Sequence, residues 1–131
     1  MDEMKRPTIS RAVRKLVKTS IPSVPHLEAL ILIQASAGEC WDADHLSSRL
    51  YIGHDECRAV LRDLYMSGFL RKEEKEDGLN YRYSPLSDSV QEGVEQLAKA
   101  HGTNLRGITD LIHANARKYQ QWWSHLYNQD N

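Results

Sequence analysis

The sequence predicts a mainly α-helical fold with one small β-hairpin. Apolar residues recur every three or four positions over most of the 131 residues, which is the period of a helix with one buried face. One central stretch alternates instead and contains an Asp-Gly pair, which is typical of a hairpin. The length suits a single domain that can fold around its own core without disulfides.

The charge is distributed unevenly along the chain. Seventeen basic and 18 acidic residues give a formal net charge of −1. Residues 1–23 hold six basic and two acidic side chains, a charge of +4, whereas the rest holds 11 basic and 16 acidic ones, a charge of −5. Any surface that binds an anion must therefore be a local one.

The sequence disfavours several functional classes. The longest apolar run, Ala29–Ile33, is too short to cross a bilayer, and no secretory signal is recognisable. We therefore expect a cytoplasmic protein with no membrane partner, in which Cys40 and Cys57 are free thiols. The sequence has no glycine-rich phosphate loop, nucleophile elbow or metallohydrolase motif, so we expect no enzymatic activity and no cofactor.

Residues 1–21 form the first predicted unit, a basic amphipathic helix that Thr8 can cap. One face carries the apolar residues Ile9, Val13, Leu16 and Val17. The opposite face carries the cations Arg11, Arg14, Lys15 and Lys18. Residues 22–25 are interpreted as a linker, because proline cannot continue a helix. The cationic face fits a phosphate-contacting arm, a membrane-surface helix or a docked helix with a solvated face.

Residues 22–86 form the second predicted unit, which opens with two helices. The first runs from Pro25 to just before Gly38, and apolar residues cover much of its circumference. Asp42 is a good cap for the second helix, which ends near Tyr51. We therefore expect the first of these helices to be buried on much of its circumference.

A third helix is predicted from about residue 54 to residue 67, after a tight turn at Gly53. Its core-facing side chains are those of Cys57, Val60, Leu61 and Leu64. Gly68 supplies the left-handed backbone conformation that ends the helix. The other face of this helix is mostly charged, so we expect it to point outward.

A β-hairpin is predicted after the third helix. The Asp77-Gly78 pair favours the turn geometry that matches the twist of two paired strands. Tyr81 and Tyr83 alternate with polar residues, as in a half-buried returning strand, and Pro85 ends that strand.

Residues 87–131 form the third predicted unit, which consists of two helices. Ser89 and Glu92 have the spacing of a capping box, and Gly102 ends the first of these helices. The second has one apolar stripe and two adjacent tryptophans that cannot share a face. We expect a homodimer interface formed by Leu105, Ile108, Ile112, Tyr119, Trp122, Trp123 and Leu126. The alternative is that the stripe packs on the first helix of residues 22–86.

The order helix, short strand, helix, turn, helix, hairpin resembles the winged helix-turn-helix of bacterial transcriptional regulators of the MarR, PadR and ArsR kinds. The resemblance rests on Asp42, Leu46, Arg49-Leu50, Ile52, Cys57, Leu61-Arg62-Asp63-Leu64 and Gly68-Phe69-Leu70. The opening Val24, His26-Leu27-Glu28 and the closing Tyr81-Arg82-Tyr83-Ser84-Pro85 are also similar to small bacterial winged-helix proteins of unassigned role.

This resemblance implies a homodimeric, DNA-binding transcriptional regulator whose third helix enters the major groove. The implied DNA-binding residues are His54, Arg58, Ala59 and Arg62 on that helix, Arg71, Lys72 and Lys75 on the hairpin, and the four cations of the N-terminal helix, Arg11, Arg14, Lys15 and Lys18.

Three residues depart from the pattern of these regulators. Asp55 and Glu56 stand at the start of the third helix, where carboxylates repel phosphates. Tyr51 stands where such proteins often have glycine in the turn. A winged-helix module that binds a protein partner and not DNA therefore stays open as the alternative.

A metal site is not expected. Six histidines and two cysteines are ligand types that zinc prefers. His54 and Cys57 could share a helical face, but Cys57 falls in the predicted core, and no Cys-x-x-Cys or His-x-x-x-His pair accompanies it.

Overall fold

The structure, a computed structural model, describes the backbone of residues 9–128 and the side chains of residues 9–116. Its elements in chain order are α1 (Arg11–Ser20), α2 (Val24–Ala35), β1 (Cys40–Trp41), α3 (Ala43–Leu50), α4 (His54–Met66), β2 (Leu70–Lys75), β3 (Gly78–Tyr83), α5 (Asp88–Thr103) and α6 (Leu105–Asn128). The prediction of a mainly helical chain with a small β-hairpin between helices is confirmed. No single helix in the described part of the chain is long and apolar enough to span a membrane.

The hairpin belongs to a three-stranded antiparallel sheet in the order β1-β3-β2. The short strand β1 pairs with β3, with Trp41 opposite Tyr81. Because β1 directly precedes α3, this pairing connects the start of α3 to the hairpin. The hairpin is the wing of a winged helix, and α3 and α4 are its helix-turn-helix.

One continuous core joins the winged helix to the helices on either side of it. Its centre consists of fully buried side chains from α2, β1, α3, α4 and the segment before β2, namely Leu27, Leu30, Trp41, Leu46, Leu61, Leu64 and Phe69. The core extends outward through Val13, Val17, Ile21, Val94, Leu97, Ile108 and Ile112. The N-terminal and C-terminal helices thus pack into the same body as the central unit.

Two predicted helix caps were wrong by two residues. The cap of α1 is Ser10, whose Oγ accepts from the Val13 N–H at 3.2 Å; the predicted cap, Thr8, lies outside the described residues. The cap of α5 is Ser87, whose Oγ accepts from the Val90 N–H at 3.2 Å, in place of Ser89. Several hydroxyl residues stand near each helix start, and only one of them can have the extended backbone that a cap requires.

Three turns also differ from the prediction. Val24 and Pro25 lie in the first turn of α2, where a helix needs no N–H from proline, so the linker is shorter than expected. The hairpin loop consists of residues 76 and 77, and Gly78 begins β3 with a positive φ of 124°. Gly102 lies inside α5, which ends one residue later.

Candidate nucleic-acid interface

The turn between α3 and α4 is held by short hydrogen bonds. Asp42 Oδ1 accepts from the His45 N–H at 2.8 Å and caps α3, as the sequence predicts. Ser47 Oγ donates to the Ile52 carbonyl at 2.6 Å across the turn. The left-handed residue of the turn is Tyr51, with φ 59°, whereas Gly53 is the extended cap of α4 and has no unusual φ. The predicted tight turn at Gly53 is therefore wrong by two residues.

The outward face of α4 presents both signs of charge. His54, Asp55, Glu56, Arg58 and Arg62 are exposed, and Ala59 is half-buried. Arg58 Nη2 lies 3.2 Å from Asp55 Oδ1, and His54 Nε2 lies 3.0 Å from Asp44 Oδ1. Exposed pairs of this kind contribute little to stability, so a stronger anion can displace the carboxylates.

A buried histidine anchors α4 to the start of α2. His26 is only 9% exposed; its Nε2 lies 2.8 Å from Asp63 Oδ2, and its Nδ1 lies 2.6 Å from Ser23 Oγ. A neutral ring protonated on Nε2 satisfies both bonds, because Nε2–H donates to Asp63 and Nδ1 accepts from the Ser23 hydroxyl. No sequence pattern predicted this clamp, which joins residues 37 positions apart.

Replacing Asp63 with alanine is expected to lower the free energy of unfolding by about 1 kcal/mol, because the His26 ring loses its acceptor in a buried position. The loss stays small since the Asp63 side chain is 41% exposed and water can reach the site. Urea denaturation measures it. The matched control is Asp110→Ala on α6, an exposed aspartate beyond the first turn of its helix, which should leave the urea midpoint unchanged. Equal midpoints for the two variants would contradict a clamp.

The cations of the wing are engaged with neighbouring groups. Arg71 Nη2 lies 2.9 Å and Arg82 Nε 3.2 Å from Glu73 Oε1, and the hydrogen bond from Arg71 lowers the pKa of the Glu73 carboxyl. Lys75 Nζ lies 3.1 Å from Cys40 Sγ, and Lys72 Nζ lies 4.6 Å from the centre of the Tyr65 ring. The predicted wing cations Arg71, Lys72 and Lys75 are thus exposed to solvent and also contact residues of the sheet or of α4.

A cleft of about 270 Å³ lies between the start of α3, the side of α4 and the tip of the wing. The carboxylates of Asp42, Asp44 and Asp77 line it together with the Arg58 guanidinium. This is the side on which a winged helix faces DNA, and here acidic groups outnumber basic ones. Arg58 is the one cation among the described residues that line this cleft, and Arg62 is not one of them.

The predicted DNA-binding residues fall on two separate surfaces. Helix α1 packs against α5 and α6 through Val13 and Val17, which are buried. Its cations Arg11, Arg14, Lys15 and Lys18 are exposed. Only the Lys18 end approaches α4, beside Asp63 and Met66 at the C-terminal end of that helix. The structure does not bring the basic stripe of α1 to the N-terminal end of α4.

The predicted dimerisation residues also divide. Ile108 and Ile112 are buried within the single chain, where α6 packs on α1 and α5, so these two side chains serve the core. The first helix of residues 22–86, the alternative partner, is not a main neighbour of α6. Leu105 is 49% exposed. The remaining predicted residues, Tyr119, Trp122, Trp123 and Leu126, lie outside the described side chains.

No group of three or more histidine, cysteine, aspartate or glutamate side chains within residues 9–116 is arranged to hold a metal ion. Cys57 is fully buried; burial raises the pKa of its thiol, and the nearby Glu56 carboxylate raises it further. A protonated, buried thiol is a poor metal ligand. The two residues that could have shared a metal, His54 and Cys57, point in different directions, one exposed and one buried.

Comparison with known proteins identifies the fold. No protein-family model matches the sequence, and no curated protein matches it either. Among solved structures, the transcriptional regulator BldR from Sulfolobus solfataricus aligns with a TM-score of 0.50 at 13% identity, over 92% of this chain and 84% of that one. A mutant of MarR from E. coli gives 0.51 at 13% identity, over 92% and 87%. Heme-free PefR gives 0.51 at 16% identity, over 86% and 85%.

These similarities extend over the flanking helices as well as the winged helix, since they cover about nine-tenths of the chain in the first two cases. The resemblance to MarR-like winged-helix proteins is therefore confirmed as a likeness of fold. At identities this low, the shared fold says nothing about which residues contact a ligand or DNA.

Proposed function

We propose that this protein is a cytoplasmic, homodimeric transcriptional regulator that binds duplex DNA and has no enzymatic activity. The observation that carries the proposal is the outward face of α4, which a capped helix-turn-helix and an adjoining wing hold in the arrangement of known winged-helix regulators. In this arrangement the second helix of the helix-turn-helix enters the major groove and the wing contacts the backbone.

The proposed groove contacts are His54, Arg58, Ala59 and Arg62. Within the described residues Arg58 pairs with Asp55 and Arg62 with Asp63, and each arginine side chain is 66% exposed. A guanidinium in this position can exchange a carboxylate for a phosphate or for the bidentate acceptors of guanine. The proposed backbone contacts on the wing are Arg71, Lys72 and Lys75, of which Arg71 is 57% exposed despite its pair with Glu73.

Affinity for DNA is expected to depend on few phosphate contacts. The logarithm of the binding constant falls linearly with the logarithm of the salt concentration, and the slope is proportional to the number of phosphates that the protein neutralises. Asp55, Glu56 and the three aspartates of the cleft repel phosphates, so we expect few phosphate contacts on the outward face of α4. A second proposed phosphate-contacting surface consists of the α1 cations Arg11, Arg14, Lys15 and Lys18. Because this surface is separate from the start of α4, DNA bound at α4 must extend around the domain to reach it.

The proposed dimer interface lies on α6. Ile108 and Ile112 are buried within the single chain and are not available to a partner. The proposed interface therefore consists of the other predicted residues, Leu105, Tyr119, Trp122, Trp123 and Leu126. Aromatic residues are enriched in protein interfaces. Sedimentation of the full chain at micromolar concentration tests this directly, because a monomer there contradicts the dimer.

The double variant Arg58→Ala/Arg62→Ala is expected to weaken binding to a mixed-sequence DNA duplex by about tenfold or more. It should also lower the salt slope by about one for each phosphate that the variant no longer neutralises. Fluorescence anisotropy over a salt series measures both quantities. The control is Lys99→Ala, an exposed cation on α5, which should bind as the unchanged protein does. Failure of the unchanged, folded protein to bind at about 50 mM salt contradicts the proposal.

One observation favours the alternative of a protein-interaction module. Asp55 is 98% exposed, and Glu56 lies beside it on the face that would meet DNA. Such a face suits a basic protein partner better than a phosphate backbone. If the unchanged protein binds DNA and the double variant Asp55→Asn/Glu56→Gln binds it no more tightly, the carboxylates do not oppose DNA, and this alternative loses its support.

A further inference from the structure

Tyr51 combines an unfavourable backbone with a fully exposed side chain. Among the described residues it is the only non-glycine with a positive φ (φ 59°, ψ 38°). Its side chain is 91% exposed, the highest value among the large apolar side chains that the structure describes. The left-handed conformation costs free energy for any residue with a Cβ, and helices that end in it usually have glycine there. Tyr51 buries no surface that would offset this cost.

The fold does not require a tyrosine at this position. The turn is held by the backbone N–H of Tyr51, which donates to the Ser47 carbonyl at 2.8 Å, and by the bond between Ser47 Oγ and the Ile52 carbonyl. Neither bond uses the Tyr51 side chain. Within the described part of the chain, the phenol has no hydrogen bond, ion pair or ring contact. Strain that folding does not need is a reason to look for a functional role.

The position of Tyr51 indicates what its side chain meets. It stands two residues before Gly53, the cap of α4, and Gly53 offers no side chain to the first N–H groups of that helix. In a helix-turn-helix the start of the second helix points into the major groove, so the adjoining turn lies beside the sugar-phosphate backbone. The nearby Asp55 and Glu56 leave little net positive charge there. A neutral hydroxyl donor can contact phosphate without an ion pair.

We infer that the Tyr51 hydroxyl donates a hydrogen bond to a backbone phosphate of duplex DNA and so positions the start of α4 in the groove. This inference rests on the proposed function, because it names a contact within the same DNA complex. The contact is independent of base sequence, so a mixed-sequence duplex suffices to reveal it.

Opposite effects on folding and on binding test the inference. Tyr51→Gly is expected to reduce the unfolding equilibrium constant by about two- to fivefold, because glycine adopts the left-handed conformation freely. The same variant should weaken binding to a fluorescein-labelled mixed-sequence duplex by about fivefold or more. Tyr51→Phe should lose as much binding with no gain in stability, because it keeps the strain and the ring but lacks the donor. Leu86→Ala, at a residue that is 81% exposed and lies away from the turn, is the control.

The outcomes separate this inference from the proposed function. If the unchanged protein binds the duplex and both Tyr51 variants bind equally well, the phosphate contact is overturned while DNA binding stands. Loss of binding in Tyr51→Gly with full binding in Tyr51→Phe overturns the hydroxyl contact too, because the ring alone then acts. If the unchanged protein binds no duplex at low salt, the proposed function and this inference both fail. Two results together support the hydroxyl contact. Tyr51→Gly binds the duplex more weakly and is more stable, and Tyr51→Phe also binds more weakly.

Discussion

Replacing Trp41 with alanine is expected to lower the free energy of unfolding by about 3–5 kcal/mol. The Trp41 side chain is fully buried in the core, and its ring stacks on His45 of α3 with centroids 4.0 Å apart and planes 10° apart. Alanine leaves a cavity that the surrounding core cannot close, because Trp41 also pairs with Tyr81 in the sheet. Urea denaturation followed by far-ultraviolet circular dichroism measures the loss.

The control for this variant is Trp41→Phe. The indole Nε1 of Trp41 is buried without a hydrogen-bond partner in the described part of the chain, so tryptophan carries a desolvation cost there. Phenylalanine keeps most of the ring and removes this polar group, and its cost should stay below about 1.5 kcal/mol. If the two variants were equally unstable, ring volume would not be the cause, and the packing described for Trp41 would be contradicted.

The helices and the wing were predictable because they follow from local patterns. The spacing of Cys57, Val60, Leu61 and Leu64 predicts one buried face of α4, and all four side chains are buried. The Asp42 cap and the left-handed Gly68 were also predicted correctly, since each depends on a few neighbouring residues. Helical period and turn chemistry are properties that a short stretch of chain determines by itself.

The arrangement of the site was less predictable, because it depends on contacts between distant residues. No sequence pattern connects His26 with Asp63, or Cys40 with Lys75, although the side chains touch in the folded chain. The basic stripe of α1 was identified correctly as a helix face, but its distance from the start of α4 depends on how α1 packs against α5 and α6. Charge can be counted along a sequence, whereas its position on the surface is fixed only by the tertiary fold.

Tyr51 is a residue whose role the sequence indicates only in part. A tyrosine stands where a helix-turn-helix often has glycine, and the structure shows a positive φ there. The exposure of the side chain depends on the tertiary fold and could not be predicted from the substitution. Strain and exposure together, and not the substitution itself, suggest a role in binding.

Ile108→Ala is expected to lower the free energy of unfolding by about 2–4 kcal/mol without changing the association constant of the proposed dimer. The side chain is fully buried within the single chain, and α6 packs there on α1 and α5. Truncation therefore leaves a cavity in the core of one protomer and removes no surface from an interface. Urea denaturation gives the first quantity, and sedimentation equilibrium under native conditions gives the second.

Trp123→Ala is the matched comparison on the same helix. If the dimer forms through the predicted residues between 119 and 126, this variant should weaken association by about tenfold or more. Truncating an aromatic residue at the centre of an interface often costs more than about 1 kcal/mol. A folded Ile108→Ala variant that sediments as a monomer, with undiminished protomer stability, would mean that Ile108 lies at the interface. The buried position of Ile108 makes the reverse pattern the expected one for this variant: reduced stability with unchanged association of the proposed dimer.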